Sequence, residues 1–403
     1  LARRLPVRPG RHDLRGHQRD PAQHRRRTDA RHAARVSAPA PPLQNGHRMD
    51  FVFDEDQEAL ADSVKRLLMT EMTPELIREL WATPTGRSDD LWALFASQGL
   101  TAVSVPEAYG GLGLTEAEWA LLAQAYGYFG SPEPLLDTAL VSAGVLARLP
   151  ASDWRDALLR DIAEGRARVA LVHPVNPYAA DVHVAQTLLC EHRGELHRVD
   201  PAQCAWRAVD SVDPSRRLFT LDWEPSAATR VASADAAAPL LNRALDHGAF
   251  AVAAQLLGLT QRVLDVAIDY SAQRKQFGKA IGSYQALKHL LADVAIRYEF
   301  ARPVVARAAQ AIADDHPQRA VFVSHAKLAA MSAAQLAARH SMQVHGAIGY
   351  TWELDLQIFM KRIWALSGSW GDSAFHKARV ADAILGDALP IGPAQTFDFE
   401  ETN

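Results

Sequence analysis

The stretch Arg274-Lys-Gln-Phe-Gly-Lys-Ala-Ile-Gly-Ser-Tyr-Gln285 lies between two long apolar-periodic segments and decides how both are read. It combines a fixed cation, a planar amide, an aromatic side chain and a turn-forming glycine. Arginine presents a rigid, always-charged fork to phosphate oxygens, and glycine lets the backbone turn tightly. At a corner between two helices, these groups suit a pyrophosphate and an adenine. Taken alone, the same residues would also suit a solvated surface, so the flanking segments must arbitrate.

Upstream, Leu245, Val252, Leu256, Leu259, Val263 and Val266 recur at helical spacing. Downstream, Leu287, Leu291, Val294, Tyr298, Ala301 and Val305 do the same. Two such stripes need partners, and the segments near 318–345 and 354–386 supply them, which predicts a four-helix bundle over 237–390. Pro303 should kink the second helix. Before the bundle, 166–236 reads as a small β domain: β-favouring runs at 169–172, 182–189 and 217–223 alternate with Pro, Asn, Asp and Gly. Before that, 49–165 reads as a helical domain. It opens on an Asp54/Gln57 capping box and continues in helices near 89–99, 115–129, 135–149 and 153–164. Residues 391–403 form a tail.

The chain has 403 residues, 48% of them hydrophobic, enough for a large core in two or three domains. Residues 1–48 carry +9 (twelve Arg against three Asp), so the remainder carries −13 within a total of −4. An acidic body argues against nucleic acid as the main partner. The first 48 residues lack apolar periodicity and suit a disordered, non-native extension ahead of a start at Met49. Cys190 and Cys204 are the only cysteines, which fits a reducing, cytoplasmic setting and excludes a cysteine-rich metal site. No apolar run reaches the length of a membrane span.

Four segments carry a resemblance: "MDFVFDEDQEAL" (49–60), "PEAYGGLGL" (106–114), "RKQFGKAIGSYQALKHLLADVA" (274–295) and "QVHGAIGYTWELDLQ" (343–357). With the domain order, they resemble the acyl-CoA dehydrogenase family from Met49 to about residue 390. The resemblance implies a mainly α fold with a small middle β domain, and an FAD enzyme acting on acyl-CoA. A carboxylate base takes the α proton, the thioester carbonyl is hydrogen-bonded as charge develops, and the β hydrogen passes to FAD as hydride. It places Arg274, Gln276, Phe277 and Gln285 on the adenine–pyrophosphate half of FAD. Gln343, Val344, His345, Gly346 and Ala347 fall on a second FAD-contacting segment, with Ala347 replacing a usual glycine. In the family both segments serve the neighbouring subunit's flavin.

Where the family keeps its base after the third bundle helix, this chain has Trp370, followed by Gly371. Asp372 is the only carboxylate of that loop. The alternative base position, on the first bundle helix, is Gly248, beside Asp246 and His247. In the β domain, "LVHPVNPYAADV" (171–182) keeps little of the segment that cups a flavin ring, and His173 and Asp181 read there as turn-forming surface residues rather than as remnants of that segment. The resemblance is therefore to the base-lacking, FAD-site-completing subunit of an α2β2 heterotetramer of the steroid side-chain type, with an electron-transferring flavoprotein as acceptor. Two alternatives stay open: a homo-oligomeric enzyme using Asp372 as base, and a nucleic-acid-binding flavoprotein of the same fold acting through 1–48.

Overall fold

The computed structural model describes residues 53–386; the expectations for 1–48 and for the 391–403 tail lie outside the described residues. Asp54 Oδ1 accepts from the Gln57 amide at 2.8 Å while Gln57 Oε1 accepts from the Asp54 amide at 3.1 Å. That reciprocal cap starts α1 (Glu55–Glu71). Thr73 caps α2 (Pro74–Ala82), a helix missed in the sequence although Pro at its first position is a regular start signal. Then come α3 (Asp89–Ser97), α4 (Glu116–Phe129), a π-helical turn (Asp137–Ser142) leading into α5 (Ala143–Leu146), and α6 (Asp153–Ala163).

The β region holds β1 (Val169–Val172), β2 (Ala179–Ala180), β3 (Thr187–His192), β4 (Glu195–Val199), β5 (Ala205–Val209), β6 (Leu218–Asp222) and β7 (Arg230–Ala232). One sheet has the order β1-β3-β4-β7, with β1 and β3 parallel and the other pairs antiparallel; the other has the order β2-β6-β5. The run expected at 182–189 is shifted, since pairing begins only at Thr187. Register explains this: Thr187 is the residue that meets Val169. Between the sheets lies a small core of Leu188, Cys190, Val199 and Phe219.

The bundle is built from α7 (Ala234–Gln273), α8 (Gln285–Ala313), α9 (Arg319–His345), α10 (Leu356–Ser367) and α11 (Ser373–Leu385). By length and composition α7 could cross a membrane, contrary to the sequence expectation, but 72% of its most apolar window is buried inside the protein. α8 runs on through Pro303 as one helix, with Ala301 and Val305 buried on either side of it. Packing on both flanks offsets the lost backbone bond. The N-terminal helices share one continuous hydrophobic core with the bundle. The crossing of α4 on α7 depends on glycine: a Cβ on Gly127 or Gly258 would collide with the backbone at Gln255 or Gln124.

Candidate nucleotide groove and the cavity beside Trp370

Between α7 and α8 the Arg274–Tyr284 segment is a miniature hairpin, with β8 (Lys275–Gln276) paired to β9 (Lys279–Ala280). Its two-residue turn puts Phe277 at φ 52° and Gly278 at φ 82°. Both angles are left-handed, as a tight hairpin of matching twist requires. For Gly278 this is free of strain; for Phe277 it is not. The turn leaves Phe277 92% exposed, so a large apolar ring is held out into solvent.

The hairpin faces the last turn of α9. Arg274, Gln276, Phe277, Gln343, Val344 and His345 together line a groove of about 520 Å³, closed further by Tyr270 and Tyr284. Gln285 is the first residue of α8, beside the lining but outside it. Gly346 ends α9 at φ 67° and Ala347 sits in the short turn that follows; both are exposed and neither lines the groove. Arg274 ends α7, exposed and without an ion pair among the described residues.

His345 is held for reception. Its ring stacks on Tyr270 at 4.3 Å, and Nδ1–H donates to the Ser341 carbonyl at 2.7 Å. Burial lowers its pKa, so the ring is neutral near pH 7. With Nδ1 donating, Nε2 is an acceptor, and it is buried with no partner among the described residues. A groove of this size with an unpaired arginine, aromatic walls and one orphan acceptor fits the adenine and pyrophosphate half of a dinucleotide.

The second region lies where α7, the β domain and the loop after α10 converge. Trp370 is 5% exposed and sits at φ 55°, followed by Gly371 at φ 91°. Its indole lies against Gly248, where a Cβ would collide with the ring. The two positions at which the resemblance looked for a base are thus pressed together, one filled by the other's side chain. The loop is pinned from several sides. The Trp370 amide donates to Asn176 Oδ1 at 2.8 Å, and His376 Nε2 donates to the Trp370 carbonyl at 2.9 Å. Lys327, fully buried, donates to the Leu366 and Ser369 carbonyls at 3.0 and 2.7 Å. Burial pushes His376 down to about 4 and Lys327 well below its ordinary range. Asp372 faces away from this work: it is exposed, and its carboxylate caps α11 by accepting from the Phe375 amide at 2.8 Å.

His173 and Asp181 are not surface residues. Both are buried: His173 lies 5.4 Å from the Trp370 ring, and Asp181 pairs with Arg87 at 2.5 Å. The apparent turn at 171–182 folds inward because Arg87 and Trp370 supply partners from distant elements. Asp181, Trp370, Arg87, Glu133, Asp137 and Arg168 line a cavity of only about 80 Å³, with Arg216, Arg217 and Arg362 completing it. Burial raises the carboxyl of Glu133 to about 7 and that of Asp137 to about 6, with Asp181 adding to both. Of these, Arg87, Glu133, Asp137, Arg168 and Arg362 went unnoticed in the sequence. Their one signal is a charge set among apolar neighbours, as at Arg362 on the buried face of α10.

Comparison with known proteins gives the family. Residues 54–166 match the model of the acyl-CoA dehydrogenase N-terminal domain, and residues 238–385 that of the C-terminal domain. The chain belongs to the acyl-CoA dehydrogenase family. It is 34% identical to acyl-CoA dehydrogenase IpdE2 of Mycobacterium tuberculosis, over 76% of this chain and 91% of that protein. It is 31% identical to IpdE2 of Mycolicibacterium smegmatis, over 76% and 92%. Among solved structures, a variant of the Tcur3481–Tcur3483 steroid ACAD superposes with a TM-score of 0.75 at 23% identity, covering 83% of this chain and 99% of that one. The ChsE4–ChsE5 complex from Mycobacterium tuberculosis gives 0.74 at 22% identity, covering 85% and 100%. This family of oxidoreductases is mostly helical with a small sheet region, as the fold above is.

Proposed function

We propose that this chain is the base-lacking subunit of a heterotetrameric acyl-CoA dehydrogenase, in which it completes the FAD site of a partner chain. One contrast carries the reading: an open groove of about 520 Å³ suited to a nucleotide, against a cavity of about 80 Å³ stoppered by Trp370. The second is far below the roughly 300 Å³ at which small-molecule sites begin. It has no room for a tricyclic flavin ring.

In this reading Arg274 holds pyrophosphate oxygens, Gln276 and Gln343 supply amide contacts, and His345 Nε2 accepts from the adenine amino group or a ribose hydroxyl. Phe277, held out by the hairpin, packs against the partner. FAD, once bound, supplies the hydride-accepting chemistry. The carboxylate that removes the α proton comes from the partner chain. A steroid-derived acyl-CoA is the substrate class favoured by the similarity to a neighbour described as a steroid ACAD of two named chains. The electron acceptor is an electron-transferring flavoprotein, and the setting is cytoplasmic.

Co-purification with a second acyl-CoA dehydrogenase chain that carries an intact base tests this. One FAD per unlike pair, with turnover only in the pair, is expected. One tightly held FAD per chain and full turnover by this protein alone would overturn it.

A further inference from the structure

The small cavity is more than a filled remnant, because one arginine edge and one carboxyl oxygen in it lack hydrogen-bond partners among the described residues. Guanidinium groups of Arg87, Arg168, Arg216, Arg217 and Arg362 line it with the carboxyls of Glu133, Asp137 and Asp181, while Asp89 and Asp213 pair with Arg168 and Arg362 from outside the lining. Arg168 is the least satisfied. It is 8% exposed, its guanidinium lies 4.7 Å from the Trp92 ring, and Nη1 donates to Asp89 at 2.9 Å. The opposite edge, Nε and Nη2, is buried without a hydrogen-bond partner among the described residues. That edge is the one arginine uses to grip a carboxylate with two parallel bonds.

Across from it stands Glu133, 3% exposed. Its Oε1 accepts from the Ser88 amide at 2.8 Å. Oε2 lies 3.8 Å from Arg168 Nη2, too far for a hydrogen bond, and has no hydrogen-bond partner among the described residues. A buried arginine fork and a buried carboxyl oxygen, both unsatisfied in one polar cavity, call for something between them. We infer that the cavity binds a small carboxylate anion on the Nε–Nη2 edge of Arg168, with protonated Glu133 donating to it. The space holds several atoms but no more: one water needs roughly 10–15 Å³ of such volume. Glu133 is suited to the donor role because burial already keeps its proton near neutrality, with Arg87 and Arg168 opposing and Asp181 assisting. This inference does not rest on the proposed subunit role.

The test uses the full chain and acetate as probe. Acetate should raise the melting midpoint saturably at pH 6.5, whereas sodium chloride at equal ionic strength and acetamide, a neutral isostere, should not. Arg168→Lys keeps the charge but loses the fork, and should weaken acetate binding at least tenfold. Glu133→Gln keeps a donor without needing a proton and should bind within threefold of the parent. Carbon-13 acetate line broadening on the unaltered protein gives a reading that survives any misfolded variant. Equal stabilisation by acetate and acetamide, no broadening, or undiminished binding by a folded Arg168→Lys would each overturn the inference.

Discussion

The hairpin groove and the Trp370 cavity solve opposite problems with similar residues. In the groove, Arg274 and Phe277 are exposed, Arg274 has no ion pair among the described residues, and Phe277, at a left-handed φ of 52°, touches the Tyr284 ring only edge-on at 6.5 Å. Around Trp370, arginines are drawn inward and mostly paired, as Arg87 is with Asp181 and Arg362 with Asp213. Charges left open to water cost little and can serve a ligand; charges taken inside must be paired or neutralised. The first region is open to a large ligand, whereas the second leaves room for only a few atoms.

The largest expected effect falls on the closed region. Trp370→Ala removes a buried indole from a pinned loop and should cost about 3–5 kcal/mol, read as a fall in denaturant midpoint. Gly248→Ala should also destabilise, by about 1–3 kcal/mol, because its Cβ meets the indole. Combined, the two should cost less than their sum. Strict additivity would break the claim that Trp370 fills the space over Gly248. The next effect concerns protons. Glu133 and Asp137 have raised pKa values in the folded chain, so their contribution to stability is present below pH 4 and lost as pH rises through about 6–7. His376, lowered to about 4, acts in the opposite sense, with stability lost as pH falls from about 6.5 toward 4. Glu133→Gln should remove up to about 3 kcal/mol of the decline between pH 4.5 and 7. An unchanged pH–stability curve would mean that Glu133 is not held protonated.

The two regions were unequally legible in the sequence. The groove comes from two contiguous segments whose types and spacing survive translation into structure: Arg274 through Phe277, and Gln343 through His345. What the letters do not show is that Phe277–Gly278 is a hairpin tip rather than a helix corner, since Phe is an unusual choice for a left-handed residue. The cavity assembles Arg87, Glu133, Arg168 and Arg362 from four separate elements, and no local pattern announces such a convergence. His173 and Asp181 looked like turn residues because their partners lie far away in the chain. The β strands were blurred for a related reason, because pairing register rather than propensity sets where β3 begins.

On the receptive side, Arg274→Ala should weaken FAD binding by the assembled enzyme by about 1.5–3 kcal/mol, the range for a hydrogen bond to a charged group. The isolated chain's melting should be unchanged. A loss of fold together with the flavin would make Arg274 structural and erase the distinction between the regions. Phe277→Gly, which relieves the left-handed strain, should stabilise the isolated chain by about 1 kcal/mol while weakening association with the partner. Two gains, or two losses, would mean that the exposed ring has no part in assembly.

Asp372→Asn should do the least, and that smallness is informative. In this structure the carboxylate accepts from the Phe375 amide at the head of α11, and asparagine caps a helix about as well as aspartate. Stability should therefore shift by a few tenths of a kcal/mol, and turnover of the assembled enzyme should hold within about twofold. If Asp372 were the base, the amide could not take the α proton, and the rate would fall by orders of magnitude with FAD still bound. Catalysis depends on placing the accepting oxygen closely over the reacting carbon, whereas this oxygen is exposed at a helix end and the cavity nearest the family's base positions is lined without it. A near-silent Asp372→Asn leaves the proton to another chain.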